Sequence, residues 1–187
     1  MKKMFAVFCL MSLSLSAFAV DQKTSNTGAI FVRDTSIPAL GEAYRDPKGV
    51  IWGSVWMTTW MNQVIPRRPS LDEARQYCSK IKLADGKTAH LPTADDFARL
   101  AKYLGDGSPK GYSPFSADGK TPVLADLDKQ DYWFLTDTTT SDSDGDFGVK
   151  LFNGALNSFI AQSVYRITNP SQGEQGEPIV ARCVLKP

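Results

Sequence analysis

Three cysteines occur in the 187 residues, Cys9, Cys78 and Cys183, and the setting of the first decides what the other two can do. Lys2 and Lys3 give a short basic start, Met4 to Leu15 is apolar and broken only by serines, and Ala17-Phe18-Ala19 offers small residues where a signal peptidase reads them. Residues 1–19 are therefore read as a signal peptide cleaved after Ala19. The apolar stretch is shorter than the roughly 20 residues a bilayer-spanning helix needs, and no later segment is long and apolar enough, so no membrane span is expected in the mature chain. Cys9 lies behind Val7 and Phe8, where a lipid-attachment signal would want small residues, and leaves with the peptide. The mature chain keeps Cys78 and Cys183, and an oxidising compartment favours their pairing. Closing a loop of 105 residues contributes about 4–5 kcal/mol in the chain-entropy picture, less any native strain.

Cleavage removes two of the 21 basic side chains and none of the 20 acidic ones, which leaves the mature chain close to neutral. Phosphate-backbone binding needs a basic excess or a clustered cationic groove, so nucleic acid is excluded as an expected partner. The length suits one core and one domain. Residues 20–28 are polar and expected to form a flexible N-terminus, with a single domain over 29–187.

Short strands are expected at Ile30-Phe31-Val32 and Val50-Ile51-Trp52, separated by turn residues around Pro47 and Gly49. Ser70 and Glu73 form a capping box, and Leu71, Ala74, Tyr77, Cys78 and Ile81 recur at helical spacing, which predicts a first helix over 71–82. Thr93 with Asp95 and Asp96 starts a second, whose buried face is Phe97, Leu100, Ala101 and Leu104 and whose end is Gly105. Residues 105–131 are rich in Gly, Pro, Ser and Asp and too long for an ordinary connection; they read as a functional surface loop or an insertion packed through Tyr112 and Phe115. Strands follow at 132–135 and 147–152, Asn153-Gly154 reads as a hairpin turn into a strand at 158–161, 163–167 is a further pairing segment, and Ile179 to Leu185 closes the domain. The pattern is α+β: two helices, then an antiparallel sheet whose last strand returns to the first helix.

Gly49-Val50-Ile51-Trp52, Ala74 with Tyr77-Cys78, Leu91-Pro92-Thr93 before Phe97 and Leu100, Tyr132-Trp133, and Ala181-Arg182-Cys183-Val184 resemble, in order and spacing, a family of bacterial C-type-lectin-like domains. The group is known from the C-terminal domain of bacterial collagen-like proteins, and the sulfatase-modifying (formylglycine-generating) enzymes share a more distant form of the fold. The likeness spans about residues 49–186. It departs at Ala89-His90, where the family has Trp-Arg, and at Phe134-Leu135, where serines usually follow the tryptophan. The resemblance implies two helices packed on a small antiparallel sheet with long loops, used in relatives mostly for adhesion or ligand recognition. It places Cys78 and Cys183 at the structural bridge rather than at the reactive, copper-binding cysteine pair of the sulfatase-modifying enzymes.

Catalytic constellations are not evident. His90 is the sole histidine and immediately precedes a helix start, so a structural or surface role is expected for it rather than that of a base beside a nucleophile, and one histidine cannot complete a zinc site. Asp95 and Asp96 are adjacent, but acids in a first helical turn complement the helix dipole, and neighbours on a helix face different ways. Asp137, Asp142, Asp144 and Asp146 are hard oxygen ligands that make calcium the one cation to consider, although they match neither the EF-hand spacing nor the Glu-Pro-Asn and Trp-Asn-Asp signatures of sugar-binding lectins. Trp52, Trp56 and Trp60 recur every four residues, a spacing that puts them on one side of a strand or helix, where Trp56 and Trp60 could extend an aromatic platform for carbohydrate.

The sequence thus points to an exported, non-enzymatic recognition module of the periplasm or cell exterior. It would bind a glycan or a cell-surface or envelope protein through the loops at 106–130 and 137–146, with ligand candidates Trp56, Trp60, Asp142, Asp144 and Asp146. The alternatives are an enzyme of the sulfatase-modifying type, or a structural component of the cell envelope.

Overall fold

The computed structural model describes residues 21–187 apart from positions 57, 61–62, 68–69, 84, 142–144, 146 and 164–178. The expected signal peptide therefore lies outside the described residues. The strands are β1 (Gln22–Thr24), β2 (Ile30–Asp34), β3 (Ala43–Arg45), β4 (Ile51–Trp56), β5 (Thr58–Trp60), β6 (Gln63–Arg67), β7 (Trp133–Ser141), β8 (Phe147–Asn153), β9 (Ser158–Ser163) and β10 (Ile179–Leu185). The helices are α1 (Leu71–Lys80) and α2 (Ala94–Leu104), with a 3₁₀ turn at Pro38–Leu40.

The architecture is α+β, but the sheet is larger than expected and is mixed. Eight strands run in the order β1-β2-β3-β4-β10-β7-β8-β9, with β5 and β6 paired in a separate ribbon. β10 is antiparallel to β4 and parallel to β7. It is central, and all seven of its residues are buried. Alternation along a strand sends successive side chains to opposite faces, so β10 serves two cores. Ile179, Ala181, Cys183 and Leu185 join the layer under α1, while Val180 and Val184 join the layer under α2.

Both helices start as the sequence predicts. The Ser70 Oγ accepts from the Glu73 N–H at 3.1 Å while the Glu73 carboxylate accepts from the Ser70 N–H at 2.9 Å; Thr93 and Asp96 repeat the device. Each box satisfies donors that a helix start leaves unpaired. Gly105, at φ 116°, ends α2, a left-handed conformation that glycine adopts without a Cβ penalty. α1 ends at Lys80 rather than 82, because Ile81 is extended and turns inward to the core. Cys78 and Cys183 are joined, with Cα atoms 5.4 Å apart, so the predicted bridge clamps α1 to the central strand.

Four further expectations are corrected. Residues 22–24 form the edge strand β1 instead of fraying, because their backbone pairs with β2 and the Lys23 side chain finds partners. Lys23 donates to the Pro122 carbonyl at 3.1 Å and lies 4.4 Å from the Tyr44 ring centroid. Asn153-Gly154 is not a two-residue turn; a four-residue turn over 154–157 connects β8 and β9, with Asn157 at φ 49°. Asn153 is instead buried, donating to the Gln130 carbonyl at 2.7 Å and accepting from the Leu156 N–H at 2.9 Å.

The long segment 106–131 is the third. It is not a free surface loop: Val123, Leu124 and Leu127 are buried in the α2-side core, beyond the predicted anchors Tyr112 and Phe115, which are half-buried. Arg182, fully buried on the same side, donates to the Gly53 carbonyl at 2.5 Å and to the Ala125 carbonyl. Burial pushes this guanidinium down to about 10. The fourth is the tryptophan series, taken up below because it builds the site. Of the expected pairing at 163–167, only Ser163, the end of β9, lies among the described residues.

Candidate functional site

Trp52 and Trp56 do not share a face. Between Arg182↔Val55 and Val184↔Trp52, β4 advances three residues while β10 advances two. One extra residue in a strand is a β-bulge, and it reverses the alternation beyond it. Trp52 consequently packs in the α2-side core, 5.5 Å from the Phe97 ring, and its Nε1 donates to Asp46 at 3.1 Å. Trp56 emerges on the α1 side, where it stacks on Tyr77 with ring centroids 4.3 Å apart and planes 11° from parallel. The Gly53 carbonyl beside the bulge accepts from Arg182.

α1 supplies the remaining walls. Glu73, Gln76, Tyr77 and Lys80 stand at the i, i+3, i+4, i+7 spacing that lines one side of a helix. With Trp56 they border a depression of about 200 Å³. Trp56 and Tyr77 are half-buried and pack against the core beneath, which holds the stack in place. Glu73 is oriented by its capping bond to Ser70. The arrangement offers aromatic surface, carboxylate and carboxamide acceptors, and amide, ammonium and phenol donors within one small hollow. The ring that stacks on Trp56 is Tyr77, which the sequence analysis did not name as a ligand candidate. Its signal was present but was read only as helix core, since the face Leu71, Ala74, Tyr77, Cys78 and Ile81 treats an edge position like a central one.

Trp60 lies in β5, in the ribbon that begins two residues after Trp56; its side chain, and Asp142, Asp144 and Asp146 entirely, lie outside the described residues. The fourth acid, Asp137, is committed elsewhere. Its Oδ1 accepts from Arg75 Nε at 2.8 Å and Nη2 at 2.6 Å, tying α1 to β7. Among the described residues no group of three or more His, Cys, Asp or Glu is arranged to hold a metal ion.

Asp96 and His90 are structural neighbours rather than a reactive pair. Burial would raise the Asp96 carboxyl, but the backbone and hydroxyl of Thr93 and the Lys186 ammonium, at 3.0 Å, outweigh it and hold the group below its ordinary 3.8. His90 pairs its backbone with Val184 in both directions, at 2.9 and 2.8 Å. Burial first, then Lys186, pushes its imidazole below the ordinary 6.5 against the pull of Asp96 and Asp137.

Two other depressions exist among the described residues. One, of about 370 Å³, lies between β1 and residues 116–121 and is lined mostly by polar residues. Its charges have partners: Asp21 pairs with Arg33 at 3.0 Å, and Asp118 accepts from its own turn at Lys120 and Thr121. The other, of about 300 Å³, is bordered by Ile37, Pro38, Ala39 and Leu83 with Ser36 and Lys82. Among the described residues no helix is long and apolar enough to cross a membrane. Compared with protein-family profiles, curated proteins and solved structures, the chain matches none of them.

Proposed function

We propose that this protein is an exported, non-enzymatic recognition module that binds a glycan at the Trp56–Tyr77 hollow, on a C-type-lectin-like scaffold of the periplasm or cell exterior. The observation that carries the reading is the fixed aromatic stack bordered by Glu73, Gln76 and Lys80. Aromatic surface covers the apolar C–H face of a sugar ring, while sugar hydroxyls, each donor and acceptor at once, call for the mixed polar wall found here. The hollow is smaller than the roughly 300–1,000 Å³ of an enclosed small-molecule pocket, which suits one ring of a longer chain. The scaffold assignment is supported by a cystine linking the first helix to the last strand and by helices on both faces of the sheet. Export is supported by the leader sequence and by a buried cystine, the form favoured outside reducing compartments. A reading as a sulfatase-modifying enzyme would need both cysteines as reactive thiols, and each is taken up by the other.

The test is titration with a panel of oligosaccharides, followed by intrinsic tryptophan fluorescence, on the mature protein and on Trp56→Ala. Saturable binding that weakens about tenfold or more in the variant is expected, since losing a stacked ring and its buried area costs on the order of 1–2 kcal/mol. Failure of the folded protein to bind any oligosaccharide, or unchanged binding by the variant, ends the reading.

A further inference from the structure

We infer that the glycan is anionic, its carboxylate, sulfate or phosphate substituents met by Lys80 and Lys82; this rests on the glycan reading above. Lys80 borders the Trp56–Tyr77 hollow, and Lys82 borders the neighbouring hollow of Ile37, Pro38 and Leu83. Ile81 between them is extended at φ −83°, ψ 108° and buried in the core. Residues on either side of an extended residue share the face opposite to it, so with Ile81 inward both lysines are presented outward, and both are exposed. Neither ammonium has an ion pair or hydrogen bond with any described residue.

The acid of this wall, Glu73, keeps its charge but gives one carboxylate oxygen to the α1 cap, while both ammonium groups face outward without such a commitment. Attraction to the carbonyl end of α1 accounts for a cation at Lys80; Lys82 lies beyond the helix, in a bridge to Thr88, and has no such cause. The chain as a whole is close to neutral, so the pair is a local concentration of charge. Two hollows bordered by lysines two residues apart in sequence also fit a chain of several sugar units better than a single one.

The experiment compares binding of a neutral oligosaccharide, its uronic-acid counterpart of the same linkage and its sulfated derivative, at low and at high salt, by the mature protein and by the double variant Lys80→Gln, Lys82→Gln. The acidic sugars are expected to bind about five- to tenfold more tightly than the neutral one, an advantage that high salt and the double variant each abolish. The carboxylate and sulfate arms show which anion is preferred. Equal, salt-independent binding of neutral and acidic sugars overturns this inference and leaves the glycan reading standing. Binding of no sugar by folded protein, or preference for an acidic polyglutamate peptide over all of them, overturns both.

Discussion

The two faces of the central sheet are closed by different means. On the α2 face, Phe97 stacks on Phe152 with centroids 4.7 Å apart and meets Trp52 and Phe134 at 5.5 and 5.8 Å; the 106–131 segment covers the rest with Val123, Leu124 and Leu127, pinned by Arg182. The α1 face is built mainly from aliphatic side chains, with Trp133 its one buried aromatic residue among those described. α1 buries only Leu71, Ala74 and Cys78, and a covalent bond does part of the work that bulky side chains do opposite. A helix tied down by a cystine needs less apolar surface beneath it, which leaves Tyr77 and the Trp56 ring half-exposed for another use.

If that contrast is right, truncating Phe97 should do the most damage. Phe97→Ala is expected to cost about 3–5 kcal/mol in urea unfolding, with the oligosaccharide response retained under native conditions. Removing the cystine, as the paired Cys78→Ala, Cys183→Ala variant, should cost about 2–4 kcal/mol, below the chain-entropy figure because the unfolded chain is more compact than a random coil. It should also loosen α1, seen as faster hydrogen exchange there than in α2. A cystine variant hurt more than Phe97→Ala, or exchange accelerated equally in both helices, would break the comparison.

The smallest effect sharpens it at low pH. The Asp96 carboxyl is held below its ordinary 3.8 in the folded state, so the proton is released more readily there than in the unfolded chain. The stability this adds is in place above about pH 4 and is lost as pH falls through the lower folded value. Asp96→Asn should therefore lower stability at pH 7 and flatten the acid limb of a stability–pH curve. A limb as steep as that of the parent would assign acid sensitivity to other carboxyls.

What the sequence disclosed and what it hid divides along physical lines. Caps are local, so Ser70-Glu73, Thr93-Asp96 and Gly105 located both helices within two residues. β10 was legible because a run of apolar residues bounded by polar ones has few other uses. The bulge in β4 was not: it depends on pairing with a strand about 130 residues away, and without it Trp52, Trp56 and Trp60 read as one stripe. Val123, Leu124 and Leu127 sit in a stretch without helical or strand period, so pattern analysis left a surface loop and a packed insertion both open and named Tyr112 and Phe115, not these three, as the anchors. The site suffered most, since Trp56 was found but its partner Tyr77 is made a neighbour only by that distant pairing.

The strand order carries a consequence for how the chain is made. Among the described strands, β1–β4 and β7–β9 are hydrogen-bonded into one sheet only through β10, whose residues 179–185 are synthesised after all of them. Until those residues are available the nascent polypeptide holds two unjoined half-sheets, and the long-range closure that completes the domain is correspondingly slow to start. Once β10 is in place, the Cys78–Cys183 cystine ties it to α1.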